Sequence, residues 1–122
     1  MQLGDGIGRI HSKAPNARVV PVGYPEAIPA DPRKRPGRMP VTRKDLAHLY
    51  GILGELNATM SRAAADNGAS FVDTTTSTAG HDACSDDRWI GGLPPTAPAV
   101  PLHPNAKGER AVTDVALRSL TG

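Results

Sequence analysis

The sequence predicts an α/β protein whose strands run parallel and are joined by helical crossovers. Residues 18–24, rich in β-branched valine, have the length and composition of a buried strand, and residues 70–73 follow as a second short strand. Between them, residues 42–67 carry a long apolar stripe at helical spacing. Parallel strands need cover on both faces, so two short strands make too small a sheet alone. The order of elements therefore indicates that further strands complete the sheet.

A first helix is expected over residues 2–13, where Leu3, Ile7 and Ile10 fall on one face. Glycines interrupt this helix and each costs up to about 1 kcal/mol of propensity, so it depends on tertiary support. The strand that follows contains Pro21, which has no amide hydrogen and removes one donor from the sheet.

The clearest element is the helix over residues 42–67, which follows a proline-rich loop. Thr42 with Asp45 resembles an N-terminal capping box, and Gly68 stands where a C-terminal glycine belongs. The apolar stripe recurs every three or four positions and consists of Leu46, Leu49, Leu53, Leu56, Met60 and Ala63. This stripe is interpreted as core rather than as a substrate site.

The last part of the chain is predicted to be a long irregular region followed by a helix. Residues 74–104 contain glycine and proline throughout, which favours loops. A final helix is expected over residues 105–120, and its apolar face consists of Val112, Val115, Ala116 and Ser119.

Charge is concentrated in a proline-rich loop at residues 30–41 and just beyond it. The net charge is +2, yet one stretch holds six basic residues and no acidic one, namely Arg33, Lys34, Arg35, Arg38, Arg43 and Lys44. Such a run either binds anionic ligands or surfaces or forms a solvated loop. No aromatic residue is interleaved for base stacking, so a nucleic-acid partner is not expected.

Composition limits the remaining classes of protein. Only four residues are Phe, Trp or Tyr, which makes independent stability doubtful for a chain of 122 residues. Cys84 is the single cysteine, so no disulfide can form within the chain. The sequence shows neither a signal peptide nor an apolar run of about 20 residues, and these observations predict a cytoplasmic chain without a transmembrane segment.

Two stretches could carry chemistry: residues 80–84 (GHDAC) with Trp89, and residues 101–108 (PLHPNAKG). In the second, His103 precedes a helix start, with Pro104 fixing the entry and a following asparagine placed to cap. A histidine on a rigid loop–helix junction can act as a general base. From the residues alone, such a histidine is more often a capping or packing residue.

These stretches resemble the last sequence block of SGNH/GDSL-type esterases and lipases, where a His-Pro-Asn-x-x-Gly motif follows a proline-rich loop. Residues 14–25 and 56–73 are similar to the preceding strands and helix of that family. The resemblance covers most of the chain and implies that residues 1–122 form the C-terminal part of one SGNH hydrolase domain. The implied fold is a flavodoxin-like, three-layer α/β/α arrangement.

By this resemblance the complete domain hydrolyses small-molecule or lipid esters without a cofactor or a metal, and it can be a secreted protein. His103 corresponds to the general base. Many family members have an aspartate three residues earlier, where this sequence has Val100, so the Val100 main-chain carbonyl is the candidate that orients the imidazole. Asp82, Asp86 and Asp87 could do so only if their loop folds back.

Trp89 is interpreted as packing beneath the His103 loop, with substrate binding as the second interpretation. A zinc site formed by His81, Asp82, Cys84 and His103 is a weak alternative, because their spacing matches no ligand pattern. In the family, a cysteine near position 84 commonly joins a disulfide, and the expected partner is absent from this sequence.

The family's nucleophilic serine block has no counterpart, because no serine lies in a Gly-Asp-Ser or Gly-x-Ser-x-Gly setting. Three hypotheses follow. The chain is an inactive remnant, or it is part of an esterase that associates with a missing N-terminal half, or it is a small binding module using the loop between Arg33 and Arg43.

Overall fold

The computed structural model describes residues 2–34, 36, 40–92 and 100–122. Within them lie four α-helices and a short 3₁₀ turn: α1 (Gln2–Lys13), the turn (Pro32–Lys34), α2 (Arg43–Asp66), α3 (Thr75–Thr78) and α4 (Ala106–Thr121). The predicted helices α1, α2 and α4 are confirmed to within one or two residues at each end. The short helix α3 lies in a region that was predicted to be irregular.

The two predicted strands are present as extended segments that share one parallel bridge, between Val22 and Val72. The Val72 amide donates to the Pro21 carbonyl at 2.9 Å, and the Gly23 amide donates to the Val72 carbonyl at 2.9 Å. One step earlier, the Ser70 amide donates to the Val19 carbonyl at 3.1 Å. Pro21 has no N–H that could donate to the Ser70 carbonyl, so the ladder is interrupted at this position. Within the described residues, the two predicted strands are therefore reduced to extended segments joined by a single bridge.

Helix α2 begins and ends as its capping residues predict. The Thr42 hydroxyl accepts the Asp45 amide at 3.1 Å, and the Asp45 carboxylate accepts the Thr42 amide at 3.2 Å, which closes the capping box. The hydrogen bond from the Thr42 hydroxyl lowers the pKa of Asp45. Gly68, at φ +70°, continues the chain in the left-handed region that glycine accepts without a Cβ clash.

The core is small and aliphatic. It is formed by Ala27, Ile28, Leu46, Ala83 and Ile90. The apolar stripe of α2 is buried at Leu46 near its start and at Ala63 near its end. Leu49 and Leu53 are partly buried and pack against the core, whereas Leu56 is 41% exposed. The stripe therefore contacts the core over its first half and reaches the surface at Leu56.

Buried threonine hydroxyls tie α3 to the segment that follows Val22. The Thr74 hydroxyl donates to the Gly23 carbonyl at 2.9 Å. The Thr78 hydroxyl accepts the Glu26 amide at 2.9 Å and donates to the Thr74 carbonyl at 2.7 Å. Both side chains are fully buried, so these bonds satisfy polar groups that would otherwise destabilise the fold. Across the described residues, no helix combines the length and apolar character needed to cross a bilayer.

Candidate active-site loop

The loop that carries His103 is held by backbone hydrogen bonds on both sides of that residue. Ile90 and Pro104 form an antiparallel bridge. The Gly91 amide donates to the His103 carbonyl, and the Leu102 amide donates to the Gly91 carbonyl, both at 2.8 Å. Paired backbone groups of this kind fix the position of the intervening Cα atoms. The main chain of His103 is thus anchored while its side chain remains exposed to solvent.

Leu102, directly before His103, has φ +62°, a left-handed conformation that is uncommon for a bulky residue. The Tyr24 hydroxyl donates to the Leu102 carbonyl at 2.7 Å. Tyr24 is itself fixed by the Asn57 side-chain amide, which accepts the Tyr24 N–H at 2.8 Å and donates to the Tyr24 carbonyl at 2.9 Å. A chain of contacts from α2 through Tyr24 therefore supports the left-handed turn.

Asn105 joins the His103 loop to helix α4. Its side-chain oxygen accepts the amides of Lys107 at 3.0 Å and Gly108 at 3.1 Å, which is the N-cap predicted from the sequence. Its side-chain NH₂ donates to the Arg88 carbonyl at 2.8 Å, and its backbone amide donates to the Trp89 carbonyl at 2.9 Å. One residue thus caps the helix and docks it on the chain around Trp89.

Gly108, in the first turn of α4, lies directly against that chain. A Cβ built on Gly108 would lie 2.2 Å from the Trp89 carbonyl oxygen, which is a backbone atom. Only a residue without a side chain fits at that position. The His-Pro-Asn-x-x-Gly spacing therefore has a physical basis, since its asparagine and its glycine both contact the 88–89 backbone.

Trp89 packs against His81 next to this junction. The two rings stack with centroids 3.7 Å apart and planes 3° from parallel. His81 Nδ1 lies 2.8 Å from the Asp87 carbonyl oxygen, and Lys107 Nζ lies 2.7 Å from an Asp87 carboxylate oxygen. The hydrogen bond from Lys107 is the main cause that lowers the pKa of Asp87. This cluster connects the 81–89 loop to the first turn of α4.

Two of the predicted site residues, Val100 and His103, lie three residues apart in the loop that precedes α4. The Val100 carbonyl accepts the His103 backbone amide at 3.1 Å, so it faces back toward the histidine. Asp82 is buried and accepts the Cys84 amide at 2.8 Å, while Asp87 faces Lys107. In the described part of the chain, neither carboxylate is hydrogen-bonded to the His103 ring.

Among the hydrogen bonds of the described residues, none joins a serine hydroxyl to the His103 ring. The hydroxyls of Ser12, Ser77 and Ser119 donate to carbonyls of their own helical turns. No cluster of three His, Cys, Asp or Glu side chains that could hold a metal ion occurs in the ranges described, which gives the zinc alternative no support. Residues 93–99, within the predicted 74–104 active-site region, lie outside the described residues.

The basic loop offers little to the binding-module hypothesis. Arg33 forms an ion pair with Asp31 at 2.9 Å, and this hydrogen-bonded pair lowers the pKa of Asp31 to about 2. The Arg33 charge is thus offset by a neighbour on the same turn. Arg35 and Arg38 lie outside the described residues.

Replacing Tyr24 by phenylalanine tests whether its hydroxyl supports the turn before His103. We expect the free energy of unfolding to fall by about 1–2 kcal/mol, because the half-buried Leu102 carbonyl loses its donor. Hydrogen exchange at the Leu102 and His103 amides should accelerate. Burial raises the pKa of Tyr24, so wild-type stability should also decline above about pH 10, where the unfolded state ionises first.

The chain's other tyrosine, Tyr50, provides the matched control, because it is 43% exposed on α2. Tyr50→Phe should leave both stability and amide exchange near wild type. Equal effects from the two substitutions would show that the Tyr24 hydroxyl does not hold the turn.

Comparison with known proteins identifies relatives along nearly the whole chain. The sequence profile of the GDSL-like Lipase/Acylhydrolase family matches residues 2–111. Lipase 2 of Streptomyces coelicolor is 39% identical over 116 residues, covering 92% of this chain and 39% of its own length. An esterase of Streptomyces scabiei is 37% identical over 125 residues, covering 88% of this chain and 36% of its own length.

Solved structures agree with the sequence relatives. An extracellular lipase from Streptomyces rimosus superposes with a TM-score of 0.79 at 33% identity, covering 97% of this chain and 49% of that one. A phospholipase A1 from Streptomyces albidoflavus gives a TM-score of 0.82 at 28% identity, covering 96% of this chain and 48% of that one. The α/β class is thereby confirmed. The chain spans less than half the length of the relatives it matches.

Proposed function

Because this chain belongs to the GDSL-like lipase/acylhydrolase family, we propose that it supplies the general base of an ester hydrolase domain. In this proposal the His103 imidazole takes the proton of a serine hydroxyl as that oxygen attacks the ester carbonyl carbon. The protonated ring then donates to the leaving alkoxide, which departs as an alcohol. The observation that carries the proposal is the fixed backbone and exposed side chain of His103.

The Val100 carbonyl takes the orienting role in this scheme. It accepts the His103 backbone amide at 3.1 Å, and the described structure has no hydrogen bond between this carbonyl and the His103 ring, so the ring would have to turn toward it in the complete domain. A carbonyl that accepts the Nδ1 proton leaves Nε2 free to act as the base. Trp89 is the secondary candidate for substrate contact, since it is half-buried beside this loop.

We further propose that the serine and the oxyanion-hole donors come from a segment of the domain outside residues 1–122. The complete domain would then be a flavodoxin-like, three-layer α/β/α fold with parallel strands. The longer relatives support this, because this chain covers 39% of Streptomyces coelicolor Lipase 2 and 49% of the Streptomyces rimosus lipase.

An open edge beside the parallel bridge supports such an association. Residues 19, 21 and 23 direct their backbone groups toward residues 70–72. Val20 and Val22, which alternate with them, face the other edge, and the described residues offer their backbones no hydrogen-bond partner there. Val22 is also 39% exposed. An unpaired edge with apolar side chains can accept a further strand, here one from the rest of the domain.

Complementation tests the proposal. The purified chain would be refolded with the N-terminal part of Streptomyces coelicolor Lipase 2 that precedes the matched region, and hydrolysis of p-nitrophenyl butanoate followed. We expect turnover only in the mixture, together with co-elution of the two polypeptides on size exclusion. Turnover by this chain alone would place the nucleophile within it. A co-eluting complex without turnover would count against ester hydrolysis.

A further inference from the structure

His81 is held in place by packed segments on both sides of it. Its backbone amide donates to the Thr78 carbonyl at 3.1 Å, at the end of α3. Two residues later, the amide of the fully buried Ala83 donates to the Ala27 carbonyl of the core at 3.0 Å. A residue whose neighbours are bonded to packed elements in this way has little freedom to move. His81 is therefore a fixed point to which the rest of the 81–89 loop can be attached.

Trp89 is attached to His81 in two ways. The Trp89 amide donates to the His81 carbonyl at 2.9 Å, and the two rings stack with their planes 3° from parallel. His81 Nδ1 lies 2.8 Å from the Asp87 carbonyl oxygen. Because a carbonyl oxygen can only accept, we assign the hydrogen to Nδ1, and the imidazole cannot rotate without losing this bond. The indole of Trp89 thus lies against a ring whose own orientation is fixed.

The residues after Trp89 connect this stack to the loop of the proposed base. Gly91, two residues further on, donates to the His103 carbonyl and accepts the Leu102 amide, both at 2.8 Å. The Trp89 carbonyl accepts the Asn105 amide at 2.9 Å. The backbone on both sides of His103 is therefore bonded to residues that lie within two positions of the stacked indole.

We propose that His81 is a positioning residue for His103 that acts through its stack on Trp89, an inference that rests on the proposed function. A general base must be held within a fraction of an ångström of its productive position. The loop itself offers little packing for this purpose, since Val100 is 62% exposed and the His103 side chain is exposed as well. The loop takes its position from its bonds to residues 89–91, and the stack fixes where those residues lie.

The stack has a charge-dependent signature. Since Nδ1 already carries a hydrogen, a second proton binds at Nε2 and leaves the bond to the Asp87 carbonyl intact. The Asp87 carboxylate, 3.4 Å from Nδ1, attracts the protonated ring, whereas Lys107 Nζ, 2.7 Å from the same carboxylate, opposes it. The remaining charged side chains on this loop and on the segments beside it are Glu26, Lys34, Asp82, Asp86 and Arg88.

Fluorescence of the full chain tests the stack, because Trp89 is its only tryptophan. A protonated imidazole in contact with an indole quenches the indole emission, and imidazole rings change charge between about pH 5 and 8. We expect Trp89 emission to fall as the pH is lowered across this range while circular dichroism stays constant. His81→Phe, which cannot be protonated, should abolish the change. His48→Ala is the matched control on α2 and should behave as wild type. Wild-type emission that does not depend on pH would overturn the proposal.

Hydrogen exchange tests whether the stack fixes the loop. His81→Ala should accelerate exchange of the Gly91 and Asn105 amides about tenfold relative to amides in the middle of α2, because the stacked pair is lost. His81→Phe keeps a flat ring on the indole and should stay within about threefold of wild type. His81→Asn retains a polar donor without a ring and should resemble alanine. Unchanged exchange in His81→Ala, or rescue by asparagine as full as that by phenylalanine, would contradict the role of the stack.

Turnover of the domain completed with the N-terminal part of Streptomyces coelicolor Lipase 2 separates positioning from a purely structural role. We expect His81→Ala to lower kcat about tenfold with KM unchanged, and His81→Phe to restore kcat. Faster exchange at Gly91 with an unchanged kcat would overturn the positioning role. Failure of the proposed function is distinguishable, because no variant would then turn over while fluorescence and exchange still report whether His81 fixes the loop.

Discussion

Gly108→Ala is expected to destabilise the chain by about 3 kcal/mol or more and to detach α4 from the His103 loop. The added Cβ would lie 2.2 Å from the Trp89 carbonyl oxygen and 3.1 Å from its carbonyl carbon. Both are backbone atoms, so no rotamer change can relieve the overlap. The Asn105 bonds to the Arg88 and Trp89 carbonyls lie in the same junction and should be lost together.

Urea unfolding followed by circular dichroism measures this effect, with Gly51→Ala as the control. Gly51 lies within α2, and a Cβ there would meet nothing within 4 Å. Alanine at that position should raise the free energy of unfolding by about 0.5–1 kcal/mol, because glycine is the weaker helix former. Replacing glycine by alanine is thus expected to lower the free energy of unfolding at Gly108 and to raise it at Gly51. A mild effect at Gly108 would contradict the close contact with Trp89.

The parts of the fold that sequence reasoning predicted are those encoded within a few residues. The capping box of Thr42 and Asp45, the left-handed Gly68 and the Asn105 cap each depend on neighbours two to three positions away. Such local rules hold whatever the rest of the chain does. For this reason the helix boundaries of α2 and α4 were predicted closely.

The parts that sequence reasoning missed depend on distant pairs. Tyr24 and Leu102 are 78 residues apart, and no local pattern links them. Pro21 was recognised as a weak point of its strand, yet its consequence for the ladder became visible only once its partner Ser70 was known. Asn57 lies on α2, and nothing in its sequence neighbourhood predicted that its side-chain amide would hydrogen-bond the backbone of Tyr24 in place of a neighbouring strand.

The resemblance of the final block identified His103, which neither composition nor periodicity could single out. The structure adds why the flanking positions matter, since Asn105 and Gly108 both contact the 88–89 backbone. A spacing of three residues places them on the same face of the first turn of α4. The motif therefore docks the loop on α4 in addition to carrying His103, the proposed base.

His103→Ala is expected to lower the rate of ester hydrolysis by the complemented domain by about 10²- to 10⁴-fold, the contribution typical of a general base. The effect should appear in kcat rather than in KM, because the ring would act on the reacting hydroxyl instead of holding the acyl chain. Side-chain hydrogen bonds of the His103 ring are absent from the described structure, so the free energy of unfolding should change by less than about 0.5 kcal/mol.

Two substitutions separate this role from a structural one. His48→Ala removes another exposed histidine, on α2, and should leave both rate and stability unchanged. Val100→Ala should also keep the rate, because the proposed orienting group at that position is a backbone carbonyl that every residue carries. A large loss of rate at Val100 would mean that its side chain contributes. A rate preserved in His103→Ala would remove the general base from the proposed mechanism.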